Sequence, residues 1–202
     1  MKSMLNMLKL GLILAAYSVV ACVGLAFVYA GTKTVIAQRA AADRDAAIQE
    51  LFPAADGFKA IDPSQFASGD EKISITEAFA VSAAGAPSGV ALKVVGPSYA
   101  GATTVLVGVG ADRKVAGVKI LENKDTAGLG ANAASPSYFV DKKTKTTFYG
   151  QFAGKSVDDP FKAKGDVIAI TASTITSASI ARIVKVSGTA AGAWLAGQGA
   201  AQ

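Results

Sequence analysis

Residues Asp166–Val186 read DVIAITASTITSASIARIVKV, and the change of pattern inside this stretch decides the fold. An apolar run rich in Ile and Val stops at Thr171-Ala172-Ser173-Thr174, and beyond it Ile180, Ile183 and Val184 are spaced for one face of a helix. The pattern predicts a strand that gives way to a helix, with the hydroxyls of Thr171, Ser173, Thr174 and Thr176 crowded at the junction. Unpaired backbone N–H groups and the positive end of a helix dipole favour an anion such as phosphate at such a junction. Ser and Thr are also the ordinary capping residues of helices, so on local physics alone capping and anion binding both stand.

Upstream of this stretch the pattern is strand-like. Ile73–Val81, Gly89–Val95, Thr103–Val109 and Val115–Leu121 are short runs of β-branched and apolar residues, and the last two flank Gly110-Ala111-Asp112-Arg113-Lys114, a hairpin signal. Gly85-Ala86-Pro87-Ser88 marks another turn. Strands in succession without helices between them predict a mainly antiparallel sheet in an α+β domain. Lys142-Lys143-Thr144-Lys145 is a basic run that reads as a solvated turn or a membrane-facing edge.

The N-terminus belongs to a different environment. Leu10–Ala30 carries no charge and matches the roughly 20 residues that cross about 30 Å of hydrocarbon. Lys2 and Lys9 precede it and Lys33, Arg39 and Arg44 follow, so basic residues alone do not orient it. Val28-Tyr29-Ala30 resembles a signal-peptide cleavage site, but signal cores are shorter, about 7–15 residues, which favours a retained anchor. Lys33–Leu51 has Ala-rich helical composition and ends at Phe52-Pro53. The expected order is a flank over 1–9, a transmembrane helix over 10–30, a helical stalk over 31–52, a domain over 53–187 and an Ala/Gly-rich tail over 188–202. In that tail Trp194 and Leu195 pack the last helix down, and fraying is expected beyond Gly197.

Composition excludes several chemistries. The 202 residues contain no His and a single Cys, which removes histidine metal and haem sites, Ser-His-Asp triads and internal disulfides. Cys22 lies mid-span and reads as a small apolar residue. Gly108-Val109-Gly110 sits late in a strand, lacks a third Gly, and reads as hairpin chemistry, not as a dinucleotide fingerprint. The adjacent acids Asp158-Asp159 are expected in solvent, while hydrolysis by a carboxylate pair or a carboxylate-bound metal using them or Asp141 stays open. The net charge of +5 is spread along the chain without an aromatic-interleaved stripe, which argues against nucleic acid. A redox role in such a chain would have to use an organic cofactor.

Thr171-Ala172-Ser173-Thr174-Ile175-Thr176-Ser177 resembles the flavinylation motif [ST]-G-A-T-x-[ST] of the membrane-anchored FMN-binding subunits of the Rnf and sodium-translocating NADH:quinone oxidoreductase complexes. Ala172 stands where the motif has Gly, Ser173 where it has Ala, and Ile168 where an Asp is usual, with Asp166 further upstream. Three other segments resemble the same family: Gly96–Gly101 its G-Y-x-G strand entry, Asp125-Thr126-Ala127-Gly128-Leu129-Gly130 its E-T-P-G-L-G stretch, and Phe148–Lys155 its aromatic-Q-F-x-G-K piece. The chain length and the single span are similar to the Rnf G subunit more than to the longer C subunit of the quinone reductase. A membrane-tethered binding protein that never receives flavin is the alternative from another class.

The resemblance implies an FMN-binding domain with FMN joined by a phosphodiester to Thr174, and an electron carrier that is not an enzyme alone. Ser173 or Thr176 would add hydrogen bonds to the phosphate. Gly128, Leu129 and Gly130 suit close approach of backbone to a flat ring, Thr126 a ring edge or its own turn, and Tyr99 the protein core ahead of the flavin. It also implies other subunits of a membrane complex as partners, a flavin transferase for maturation, and location in the bacterial inner membrane with the FMN domain outside the cytoplasm. Such complexes couple electron transfer between ferredoxin and NAD to movement of sodium ions or protons.

Overall fold

The computed structural model describes residues 2–199 and divides the chain into two units, Met1–Asp43 and Arg44–Gln202. Helix α1, Lys2–Leu51, belongs to both. Within the first unit its large apolar side chains, from Met4 to Ile36, are all exposed. A helix that is apolar on every side and unburied by protein is suited to lipid. By length and composition this helix can cross a membrane, and it fits a single-pass anchor.

The second unit is built on an antiparallel meander of five strands in sequence order: β1 Gly57–Ile61, β2 Ser74–Ala83, β3 Ala86–Pro97, β4 Ala102–Gly110 and β5 Val115–Glu122. Both faces of the sheet are covered, which is why β3 and β4 read as continuous apolar runs instead of alternating. One face carries Val90, Leu92, Val94, Val105, Val107 and Val109, buried with Ile180, Ile183 and Val184 of helix α2, Thr174–Gly199. On the other face Phe79, Val81, Ala91 and Leu106 bury Ala47, Ile48 and Phe52 at the end of α1. Glycines make room there: a Cβ on Gly108 would lie 2.8 Å from the Phe52 ring, and one on Gly117 2.7 Å from Leu51. Gly108 therefore serves packing, not the hairpin assigned to it from sequence. Arg44 lies 4.7 Å over the Phe79 ring and pairs with Glu77, which also pairs with Lys93.

The structure revises several expectations. Strand β1 has no clear signal in its sequence, GFKAI, and pairs with Ala78–Ser82. The β2–β3 turn falls on Ala84 and Gly85, both at positive φ (52° and 75°), so Ala86 and Pro87 already belong to β3. Asp166–Ile170 forms no strand; only an isolated bridge joins Ala163 and Val167. Here side chains replace a strand partner: the Asp166 carboxylate accepts from the N–H groups of Phe161 and Lys162, and the Gln151 amide bonds both N–H and C=O of Ile168. The Ala/Gly-rich segment continues α2 to Gly199, because Ala190 and Ala191 are small enough to enter the core. Trp194 stacks on Phe66 at 5.5 Å and donates to Gln65 at 3.0 Å. Residues 200–202, where fraying is also expected, lie outside the described residues. The Lys142–Lys145 run is the exposed turn of a two-stranded hairpin, β6 Phe139–Asp141 and β7 Thr146–Thr147.

Candidate functional site

Three segments meet at the N-terminus of α2. The loop between β3 and β4 contributes Ser98, Tyr99 and Ala100; the loop after β5 contributes Asn123–Gly130; the turn before α2 contributes Ala172 and Ser173. Asp125 joins them. Its carboxylate accepts from Ser98 Oγ at 2.5 Å, Thr176 Oγ1 at 2.7 Å and the Ala100 N–H at 2.8 Å. Burial disfavours the charge on Asp125, but these donors and the Tyr99 N–H outweigh it and hold the carboxyl below the usual carboxylate range. The Asn123 side chain accepts from the Asp125 N–H and donates to Gly130 C=O, which closes the loop on itself.

The turn into the helix is equally determined. Ser173 N–H donates to Ile170 C=O, and Ser173 C=O accepts from both the N–H and the hydroxyl of Ser177. Ser177 Oγ in turn accepts from the Ile170 N–H. Ala172, at the motif's glycine position, sits at φ 60°, where a Cβ is strained by roughly 1–2 kcal/mol. The motif's preference for Gly thus has a backbone cause, and this chain tolerates the strain.

A hollow of about 390 Å³ opens at this meeting point, lined by Tyr99, Asp125, Thr126, Leu129, Gly130 and Ala172–Thr176. Seven of the eight residues expected at a flavin site from sequence line it: Thr174, Ser173, Thr176, Thr126, Leu129, Gly130 and Tyr99. Gly128 does not; it takes the positive φ (76°) of the preceding turn, where its C=O accepts from Asn132. Gly130 is needed for close approach, though to protein: a Cβ there would lie 2.6 Å from Thr176 Oγ1 and 2.7 Å from Asp125 Cβ. Thr176 is buried with its hydroxyl proton committed to Asp125, so it positions the helix and is not free to donate to a phosphate. Tyr99 is 66% exposed, not a core residue. Thr126 anchors its own turn through its C=O, which accepts from Leu129 and Ala131.

Thr174 is exposed at the first position of α2, and none of the described residues hydrogen-bonds its hydroxyl. The helix ladder begins with Ser177 N–H on Ser173 C=O, which leaves the N–H groups of Thr174, Ile175 and Thr176 without a backbone acceptor among the described residues. Beyond the span helix, the exposed large apolar side chains of the described chain are Tyr99, Leu129, Ile168 and Ile175, and all four line hollows to which Thr174 belongs. Sequence reasoning missed the central place of Asp125 and the brace formed by Gln151. An acid next to Thr126 and an amide in the Q-F-x-G-K piece were the only signals of either.

Comparison with known proteins agrees with this geometry. The FMN-binding domain family matches residues 98–187, and the RnfG N-terminal region matches residues 1–51. The G subunit of the Na(+)-translocating ferredoxin:NAD(+) oxidoreductase complex of Acetobacterium woodii is 32% identical over 195 residues, covering 89% of this chain and 88% of that protein. The G subunit of the ion-translocating oxidoreductase complex of Cereibacter sphaeroides is 31% identical over 152 residues, 74% of this chain and 65% of that one. The G subunit of a proton-translocating ferredoxin:NAD(+) oxidoreductase complex from Clostridium ljungdahlii is 37% identical over 93 residues, 43% of this chain and 44% of that one. With an FMN-binding domain over the three-segment site and a matching N-terminal region, the chain belongs to the G-subunit family of ion-translocating Rnf-type ferredoxin:NAD(+) oxidoreductase complexes.

Proposed function

We propose that the chain carries FMN as a phosphodiester on Thr174 and serves as the electron-carrying subunit of an Rnf-like complex that couples ferredoxin/NAD electron transfer to sodium-ion or proton movement. The observation that carries this reading is the coincidence of two features. The exposed large apolar side chains of the FMN-binding region gather around Thr174, and that residue presents a free hydroxyl at a helix N-terminus. Apolar side chains suit a flat ring system, while N–H groups and the helix dipole suit its phosphate.

Bound FMN supplies one- and two-electron redox chemistry. The protein's part is to hold and orient. Tyr99, Leu129 and Ile175 give the ring apolar surface, the Asp125 hub fixes the two loops against α2, and Thr174 Oγ1 forms the tether. Making that ester requires an activated flavin diphosphate such as the adenine dinucleotide. The Oγ1–P bond forms as the phosphoanhydride breaks, the nucleoside monophosphate leaves, and the hydroxyl proton passes to the transferase or to water. A permanent tether suits a domain outside the cytoplasm, where lost flavin is not readily replaced, and the proposal places residues 44–199 on that side of the bacterial inner membrane.

Full-length protein made together with a flavin transferase tests both parts. Membranes should yield a fluorescent band with the mass increment of one FMN, lost in Thr174→Ala and kept in Thr176→Ser. In intact, outward-facing cells or spheroplasts, added protease should remove the fluorescent band. Flavin retained by Thr174→Ala would refute the tether, and a protease-resistant band that becomes sensitive only after lysis would refute the orientation.

A further inference from the structure

Thr174 lines two hollows of opposite charge. The hollow on the Tyr99–Leu129 side has Asp125 as its one charged lining residue. A second hollow, of about 500 Å³, shares Ala172 and Thr174 with the first and is lined also by Thr171, Ile168 and Gly165, with Lys164 as its one charged residue. Lys164 makes no ion pair among the described residues, whereas its neighbour Lys155 pairs with Asp166 at 3.4 Å.

The turn that presents Lys164 is fixed by hydrogen bonds. Asp166 accepts from Phe161 N–H at 3.1 Å and Lys162 N–H at 2.6 Å, and Lys164 N–H donates to Val167 C=O at 2.9 Å. The lysine is held at φ 64°, beside the segment that leads into Thr174. The tight turn therefore directs this lysine, not Lys162, to the hollow that Thr174 shares.

We propose that Lys164 is the counter-ion of the phosphodiester on Thr174, and that the opposite charges of the two hollows set which way the tethered nucleotide lies. The inference rests on the Thr174 tether of the proposed function. A phosphodiester carries one negative charge at neutral pH. The N–H groups at the start of α2 attract it along the helix axis, so the side-to-side choice is left to the flanking charges. Ionised Asp125 disfavours the phosphate on its side, and the Lys164 ammonium with the Thr171 hydroxyl favours it on theirs. The ring is then directed to the apolar Tyr99–Leu129 side. Lys164 is a positioning residue, acting on the phosphate and not on the electrons.

Purified full-length protein in detergent, treated with a flavin transferase and flavin adenine dinucleotide, gives the test. Flavinylation is followed by intact mass, and the loaded protein by its ³¹P resonance. Exposed charge pairs are modest, so the initial rate is expected to fall about threefold in Lys164→Gln and about tenfold in Lys164→Glu at low salt. It should recover in Lys164→Arg and converge on the wild type at high salt. The ³¹P resonance should move in Lys164→Gln and stay in place in Lys162→Gln, with both variants carrying the full FMN mass. A slower Lys164→Gln reaction with an unmoved resonance would place the lysine against the transferase and overturn the proposal, as would rates indifferent to charge at this position. A wild type without the FMN mass increment would overturn the Thr174 tether itself. A loaded wild type with indifferent Lys164 variants would overturn the counter-ion alone.

Discussion

Asp125 holds a negative charge where water hardly reaches, and its donors come from two separate segments: Ser98 with Tyr99 and Ala100, and Thr176 of α2. Its pKa is depressed despite burial. A depressed carboxyl stabilises the fold at pH values above its unfolded-state pKa, and that contribution is lost as pH falls through the lower folded-state value. Glu77 and Asp166 are depressed as well, each against burial, by Lys93 and Arg44 in the first case and by the Lys162 N–H and Lys155 in the second. Acid unfolding, followed by the fluorescence of the single Trp194, is therefore expected to begin below about pH 4, the ordinary carboxylate range. Asp125→Asn should lower stability at neutral pH by about 1–3 kcal/mol and flatten the acid limb, leaving the part due to Glu77 and Asp166. An unaltered limb in that variant would show that the charge on Asp125 does no work in the fold. Most members of the site are legible in short motifs because Thr174, Leu129 and Gly130 carry local signals. The hub is not legible, since residues 98, 125 and 176 meet only after the sheet has brought their loops together. Thr176 illustrates the limit: spacing identifies a hydroxyl near the helix start, but only the fold shows that its proton is already used.

Elements are legible where one kind of order dominates. The strands β2 to β5, as runs of apolar residues, and helix α2, by its spacing, are read directly, whereas Asp166–Ile170 has strand composition without a strand partner. Its backbone groups are satisfied by the Gln151 amide at Ile168, by Ser173 and Ser177 at Ile170 and by Lys162 and Lys164 at Val167, which no periodicity reports. The end of α1 shows a related effect. The stalk reading runs through Phe52, yet Ala47, Ile48 and Phe52 are core residues, admitted by Gly108 in β4, which reads from sequence as hairpin chemistry, and by Gly117 in β5. Gly108→Ala places a methyl group against the Phe52 ring and should destabilise the FMN-binding unit by about 1–3 kcal/mol. Phe52→Leu in that background should recover part of the loss, although Phe52→Leu alone is destabilising. Thermal unfolding of the four proteins in detergent measures the coupling; strictly additive losses would mean that Gly108 and Phe52 do not share this space.

At the scale of the whole molecule the positions of the cavities bear on whether this chain can act alone. A groove of about 840 Å³ is lined by Phe58, Ile61, Pro87, Trp194 and Leu195. Trp194 stands 20 residues along α2 from Thr174, which is about 30 Å at the rise of an α-helix. A nicotinamide seated in that groove would be far outside the reach of hydride transfer, which needs reacting atoms within about 3–3.5 Å and aligned. In the proposed function the hollows beside Thr174 are taken by the flavin itself. Electron exchange with a flavin in an open hollow has no such requirement, since proximity to a neighbouring centre suffices. The flavinylated full-length protein, purified without other subunits, is therefore expected to keep its oxidised absorbance when mixed with NADH and to bleach with dithionite. Stopped-flow absorbance distinguishes the two cases. Rapid, saturable bleaching by NADH would make this chain an oxidoreductase in its own right and would require a nicotinamide seat beside Tyr99 and Leu129. Bleaching by dithionite alone would leave standing the proposal that the flavin passes its electrons to another subunit of the complex.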